Sequence, residues 1–143
     1  MGSRLDVGKC WDFNDDEQPP YPTIEVNLSS PDRKATITPK VDTDFNRSLA
    51  IGSDAVRRLH LKPAGTVLVR TTTGHSETPV YVVNLSQPDL AVTYTTLAIG
   101  TERSLVGRQI LENRTWLLDC KKGRFCIITR ERDAGSTRKA AGE

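Results

Sequence analysis

The chain has 143 residues, of which 27% are charged and 36% apolar, and its 20 basic and 18 acidic side chains leave a net charge of +2. That length supports one domain with a real core and excludes two comfortable ones, and so balanced a charge argues against a polybasic nucleic-acid or membrane surface. No segment approaches the ~18 apolar residues of a membrane helix, and no basic stretch followed by an apolar run marks a signal peptide.

In chain order, residues 1–22 come first. Asp12, Asn14, Asp15, Asp16 and Glu17 lead into Gln18-Pro19-Pro20 with few aliphatics, which predicts a flexible acidic arm. From Thr23 the signal is β. Thr23-Ile24-Glu25-Val26-Asn27-Leu28 alternates apolar and polar with period two, as a half-buried strand does. A turn at Ser29-Ser30-Pro31-Asp32 leads to a second strand, Ala35–Thr38, which Pro39 limits. Val41 enters an Asp42-Thr43-Asp44 turn, and Leu49-Ala50-Ile51 resumes as an apolar strand. Ser53 is placed to cap a short helix over Asp54–Leu59 that ends before Lys62-Pro63.

Two β-branched runs, Thr66–Arg70 and Val80–Leu85, flank Thr73-Gly74-His75-Ser76 and predict a long hairpin. Strands over Ala91–Thr95 and Thr96–Ile99 follow. Gly107 opens a short helix at Arg108–Leu111, with Asn113 as a left-handed stop. Thr115–Cys120 and Phe125–Ile128 close the β pattern around a turn at Lys121–Arg124. The charged, small-residue tail over 131–143 predicts disorder. Many short strands with turn signals and no internal repeat point to one sandwich or barrel over residues 23–130.

Cys10, Cys120 and Cys126 form no CxxC pair and have no His at ligand spacing. An odd count with no secretory leader predicts reduced thiols and a cytoplasmic protein. A Cys120–Cys126 bridge across the last turn is the minority alternative. Trp116, Leu117 and Leu118 are expected in the core. His60 is read as a surface or cap residue after the first helix, and His75 as a solvent-exposed turn residue.

Two stretches carry chemistry. Asp42-Thr43-Asp44-Phe45 sits between two strands, and Ser104-Leu105-Val106-Gly107-Arg108-Gln109-Ile110-Leu111 follows later, with Leu59-His60-Leu61-Lys62-Pro63 ending the helix between them. In this order they resemble the retropepsin-like aspartic proteases, closest to the small prokaryotic clan AA type with its Asp-Thr-Gly-Phe motif. The resemblance covers roughly residues 23–129. It implies an all-β fold, a closed barrel with one or two short helices, and Asp42 as the catalytic carboxylate. One chain supplies one Asp-Thr turn, so the resemblance implies a homodimer in which two Asp42 carboxylates share a proton and activate water against a peptide bond. Thr43 matches the threonine that locks the paired turns. Thr73, Gly74 and His75 match the substrate-covering flap.

Asp44 departs from the family, which keeps glycine there. Its bulk and charge work against the shared-proton state and set up the alternative, a catalytically inactive dimeric module binding a peptide or protein partner. Asp42, Asp44 and Asn46 also match positions 1, 3 and 5 of a calcium loop, but Arg47 stands at the required glycine and Ser53 at the bidentate glutamate. No metal and no cofactor is therefore expected. A nucleic-acid-binding barrel, resting on Arg130, Arg132, Arg138 and Lys139, is disfavoured because Glu131, Asp133 and Glu143 dilute that charge.

Overall fold

A computed structural model describes the backbone of residues 3–133 and the side chains of residues 5–130. It contains eleven strands: β1 (Ser3–Asp12), β2 (Val26–Ser29), β3 (Lys34–Ile37), β4 (Lys40–Val41), β5 (Leu49–Gly52), β6 (Gly65–Thr71), β7 (Gly74–Gln87), β8 (Val92–Thr101), β9 (Leu105–Val106), β10 (Thr115–Asp119) and β11 (Arg124–Asp133). Two short helices are present, α1 (Ser53–Arg58) and α2 (Arg108–Leu111). The main sheet runs β3-β2-β7-β8-β5-β9-β4, with β6 paired only to β7, and β1-β11-β10 form a second, three-stranded sheet. The fold is all-β and single-domain, as the sequence predicts.

Period-two patterning decides which faces meet. Val26 and Leu28 of β2 and Ala35 and Ile37 of β3 point inward, while Asn27 and Thr36 face out and hydrogen-bond to each other. β5 is buried at all four positions. It pairs with β8 in parallel along one edge and with β9 antiparallel along the other, and because side chains on both of its faces are buried an apolar run suits it. Leu28, Leu49, Ile51, Leu59, Leu85, Val106 and Ile110 form the most deeply buried part of the core.

Several expectations are corrected. Residues 3–12, read as flexible arm, form β1 and pair with β11 from Ser3↔Asp133 to Asp12↔Arg124. The partner strand lies far away in sequence, which no local pattern reveals. The acids that made this stretch look disordered are in part paired, Asp16 and Glu17 with Arg103, and Glu17 with Lys40. The tail is described only to residue 133, whose backbone belongs to β11, so the disorder expected for residues 134–143 lies outside the described residues.

The expected reduced thiols are replaced by a disulfide between Cys10 and Cys126, directly opposite each other on β1 and β11; Cys120 is the free, exposed cysteine. Strands predicted over Ala91–Thr95 and Thr96–Ile99 are one strand, β8, because nothing at Thr95-Thr96 breaks its ladder with β7. Leu118 is 54% exposed rather than core, since the alternation that turns Trp116 inward breaks at the sheet's end. Ser53 is the first residue of α1 and not its cap: Gly52 holds that position, and its N–H donates to Ser104 Oγ at 2.9 Å.

Candidate functional site

Asp42 follows β4 directly. β4 lies parallel to β9, and β9 lies antiparallel to β5, so the loop 42–48 leaves one side of β9 and returns on the other. The Asp42 N–H donates to the Val106 carbonyl at 3.0 Å, which pins the start of the loop to β9. The Asp42 carboxylate accepts the Asp44 N–H at 3.0 Å, and the Asp42 carbonyl accepts the Phe45 N–H at 3.1 Å. This is the local side-chain-to-backbone bond for which Asp is favoured at turns. Asp42 is half-buried, while Thr43 and Asp44 are exposed.

Asp44 keeps a negative φ, since the positive-φ residues other than glycine are His60, Ala91 and Asn113. The position therefore needs no glycine for backbone reasons, and the amide of Asp44 still addresses the Asp42 carboxylate. Thr43 makes no side-chain hydrogen bond among the described residues.

Gly107 explains why the second motif matters. A β-carbon there would lie 2.1 Å from the Arg47 carbonyl oxygen and 2.5 Å from that of Phe45. The closeness is used: Ser48 O accepts the Gly107 N–H at 3.0 Å, and Phe45 O accepts the Arg108 N–H at 2.8 Å. The otherwise orphaned donors at the start of α2 are thus satisfied by the loop that carries Asp42. The far end of the loop is fixed by a chain the sequence reading missed. Tyr94 Oη donates to Ser48 Oγ at 2.8 Å, and Ser48 Oγ donates to Gln109 Oε1 at 3.0 Å. Ser48 is 3% exposed, and a buried hydroxyl needs such partners; its surroundings come from β8 and α2, which no spacing in the sequence ties to it. A polar cleft of about 480 Å³ opens beside this chain, between Asn46-Arg47 and Thr95–Leu97.

The hairpin predicted around Thr73–Ser76 is present with a tighter tip. β6 and β7 pair from Gly65↔Val80 to Thr71↔Gly74, leaving Thr72 and Thr73 as the loop. Thr73 lies in the tip, Gly74 opens β7 with φ 137°, and His75 pairs with Arg70 within the strand. Residues Thr71 to Glu77 are all exposed, so this end stands away from the sheet. Among the described residues no hydrogen bond joins Thr73, Gly74 or His75 to the Asp42 turn. His60, with φ 54°, ends α1: its N–H bonds Arg57 O and the Leu61 N–H bonds Val56 O, a Schellman termination.

A curled sheet in which one short strand is flanked by an Asp-bearing loop and capped by a Gly-led helix, with a projecting hairpin, defines a retropepsin-like fold. The solved structure of EIAV protease complexed with the inhibitor HBY-793 is similar to this chain with a TM-score of 0.52, over 71% of this chain and 91% of that one, at 16% identity. At that identity the likeness speaks for the fold alone. No protein-family model matches the chain, and no curated protein matches it in sequence. Among the described residues no helix is long and apolar enough to cross a membrane.

Proposed function

We propose that the chain is a homodimeric aspartic endopeptidase of the retropepsin-like type, in which each copy contributes Asp42. The observation that carries this is the Asp42 turn itself. Its half-buried carboxylate is held by its own backbone, at the end of a strand pinned to β9 and above a glycine with no room for a side chain. In the dimer one Asp42 takes a proton from water as the water attacks the peptide carbonyl, and the other gives a proton to the carbonyl oxygen. Thr43, exposed and without a hydrogen-bond partner among the described residues, is available to bond across the axis, and Thr73, Gly74 and His75 cover the substrate. Peptide and protein substrates follow from this reading, and the prokaryotic clan AA type remains the subgroup it resembles.

A second reading rests on Asp44. Its exposed carboxylate doubles the number of acids at the turn of each copy, which suits an inactive module that binds a peptide or protein in the same cleft. Peptide-library digestion at mildly acidic pH, together with sedimentation on the same samples, separates the two. Cleavage by the native chain that vanishes in Asp42→Asn supports the endopeptidase; equal cleavage by that variant ends it. Peptide binding without turnover supports the inactive module, and cleavage gained in Asp44→Gly then identifies a protease disabled at that residue.

A further inference from the structure

The acidic stretch ahead of β2 docks on the two strands that carry the Asp42 turn. Lys40, on β4, lies two residues before Asp42, and Arg103 lies two residues before Leu105 of β9. Both cations sit on Tyr21: Lys40 Nζ is 4.9 Å and the Arg103 guanidinium carbon 4.7 Å from its ring centre. Tyr21 is buried, and its hydroxyl accepts from Arg103 Nη2 at 2.7 Å. Glu17 Oε1 joins the same cations, 3.3 Å from Lys40 Nζ and 3.1 Å from Arg103 Nη1, and Asp16 stands 3.8 Å from Arg103. Backbone bonds run in parallel, with the Val41 N–H donating to Pro22 O at 2.9 Å and the Ile24 N–H to Pro39 O at 3.4 Å. The neighbouring charged groups around the same groove are Asp54 and Arg58 of α1 and Glu102 of the loop before β9.

We infer that Tyr21 is a positioning residue for Asp42: its ring, contacted by both Lys40 and Arg103, which Glu17 in turn bridges, ties β4 to the loop leading into β9 and so fixes the base of the Asp42 turn. Cation–aromatic contact with both basic residues at once ties two strands that pair through only two residues each, Lys40↔Leu105 and Val41↔Val106. A parallel ladder that short has little stability of its own, so an added tie at its base controls how well Asp42 is held. Glu17 makes the clamp acid-sensitive. Hydrogen bonds from Lys40 and then from Arg103 hold its carboxyl below the usual glutamate range. Its contribution is therefore complete above the ordinary value of about 4.3 and is lost as the pH falls through the lower, folded one.

The inference deepens the endopeptidase reading but is tested without turnover. Amide hydrogen exchange is measured on the whole chain, native, Glu17→Gln and Tyr21→Leu, with protection factors followed at Val41 and Asp42 and at β7 and β8 as reference. In native protein, protection at Val41 and Asp42 falls about fivefold as Glu17 is protonated, the range an exposed ion-pair cluster supports. Glu17→Gln shows that lower protection at neutral pH and loses the acid step, while β7 and β8 stay unchanged. Tyr21→Leu lowers protection at the two positions further. Changes confined to residues 14–23, with Val41 and Asp42 unmoved in Glu17→Gln, overturn the inference, whatever becomes of Tyr21→Leu. If the chain proves inactive, this result still stands or falls on its own.

Discussion

Gly107 holds the Asp42 loop and His60 ends α1, each through a backbone requirement at a single position. Gly107 packs its α-carbon under the carbonyls of Phe45 and Arg47, so Gly107→Ala forces loop 42–48 off α2. A methyl meeting backbone oxygen cannot be relieved by a rotamer change. We expect a loss of about 3 kcal/mol or more, at the upper end for overpacking, measured by urea unfolding and accompanied by chemical-shift changes at Asp42–Ser48. His60 occupies the left-handed position of the Schellman motif with its side chain exposed. His60→Gly removes a left-handed strain of about 1 kcal/mol and gives part of it back in unfolded-state entropy. Urea unfolding should place His60→Gly at or slightly above native stability and His60→Val about 1–2 kcal/mol below it. Both effects come from the backbone conformation that the cap position imposes.

At the scale of elements, the β6–β7 hairpin was legible because β-branched runs on either side of a Gly announce it. Its tip lies a residue or two earlier than the Gly position suggests, since Gly74 takes its positive φ just after the loop and not within it. The Asp42 and Gly107 stretches were legible for another reason: each is a local strand–turn or Gly–helix signal, and their order carries the resemblance. What ties them together was not legible. Ser48, Tyr94 and Gln109 come from three separate elements, and Tyr21 meets Arg103 across 82 residues of sequence. Asp16 and Glu17 looked like disorder because composition weighs charges without their partners. The hairpin's independence from the core gives a test of its own. Nothing lies within 4 Å of a β-carbon at Gly74, yet its φ of 137° excludes one, so Gly74→Ala strains only the tip. We expect the exposed tip to open rather than carry a strain of about 1–3 kcal/mol, so that the global melting transition moves little while ¹⁵N relaxation at residues 70–77 shows added motion. If the hairpin is the flap of a protease, KM for peptide rises in the same variant.

Across the whole molecule, β1 and β11 bring the first and last described strands together, and the Cys10–Cys126 bridge spans 116 residues of sequence. The ladder slips twice, at Asp6/Val7 and between Val7 and Cys10, so its hydrogen bonding is interrupted on the very side the disulfide holds. The opposite face of the same sheet carries Trp11, Trp116 and Phe125, with the Trp116 and Phe125 rings stacked at 4.7 Å. That aromatic cluster is how the small sheet joins the core, and it brings the residue 12–23 segment, with Tyr21, to the base of the Asp42 turn. A bridge closing so long a loop restricts the unfolded chain strongly, and its loss is worth about 2–5 kcal/mol. We therefore expect Cys10→Ser with Cys126→Ser to lower stability in urea by that amount, and dithiothreitol to do the same to native protein but not to the double variant. Persistence of such a bond favours an oxidising setting, which removes the ground on which the thiol count predicted a cytoplasmic one. Titration of thiols in freshly isolated protein decides the point: one reactive thiol, from Cys120, accords with the bridge, whereas three would mean that β1 is held by its ladder and the aromatic cluster alone.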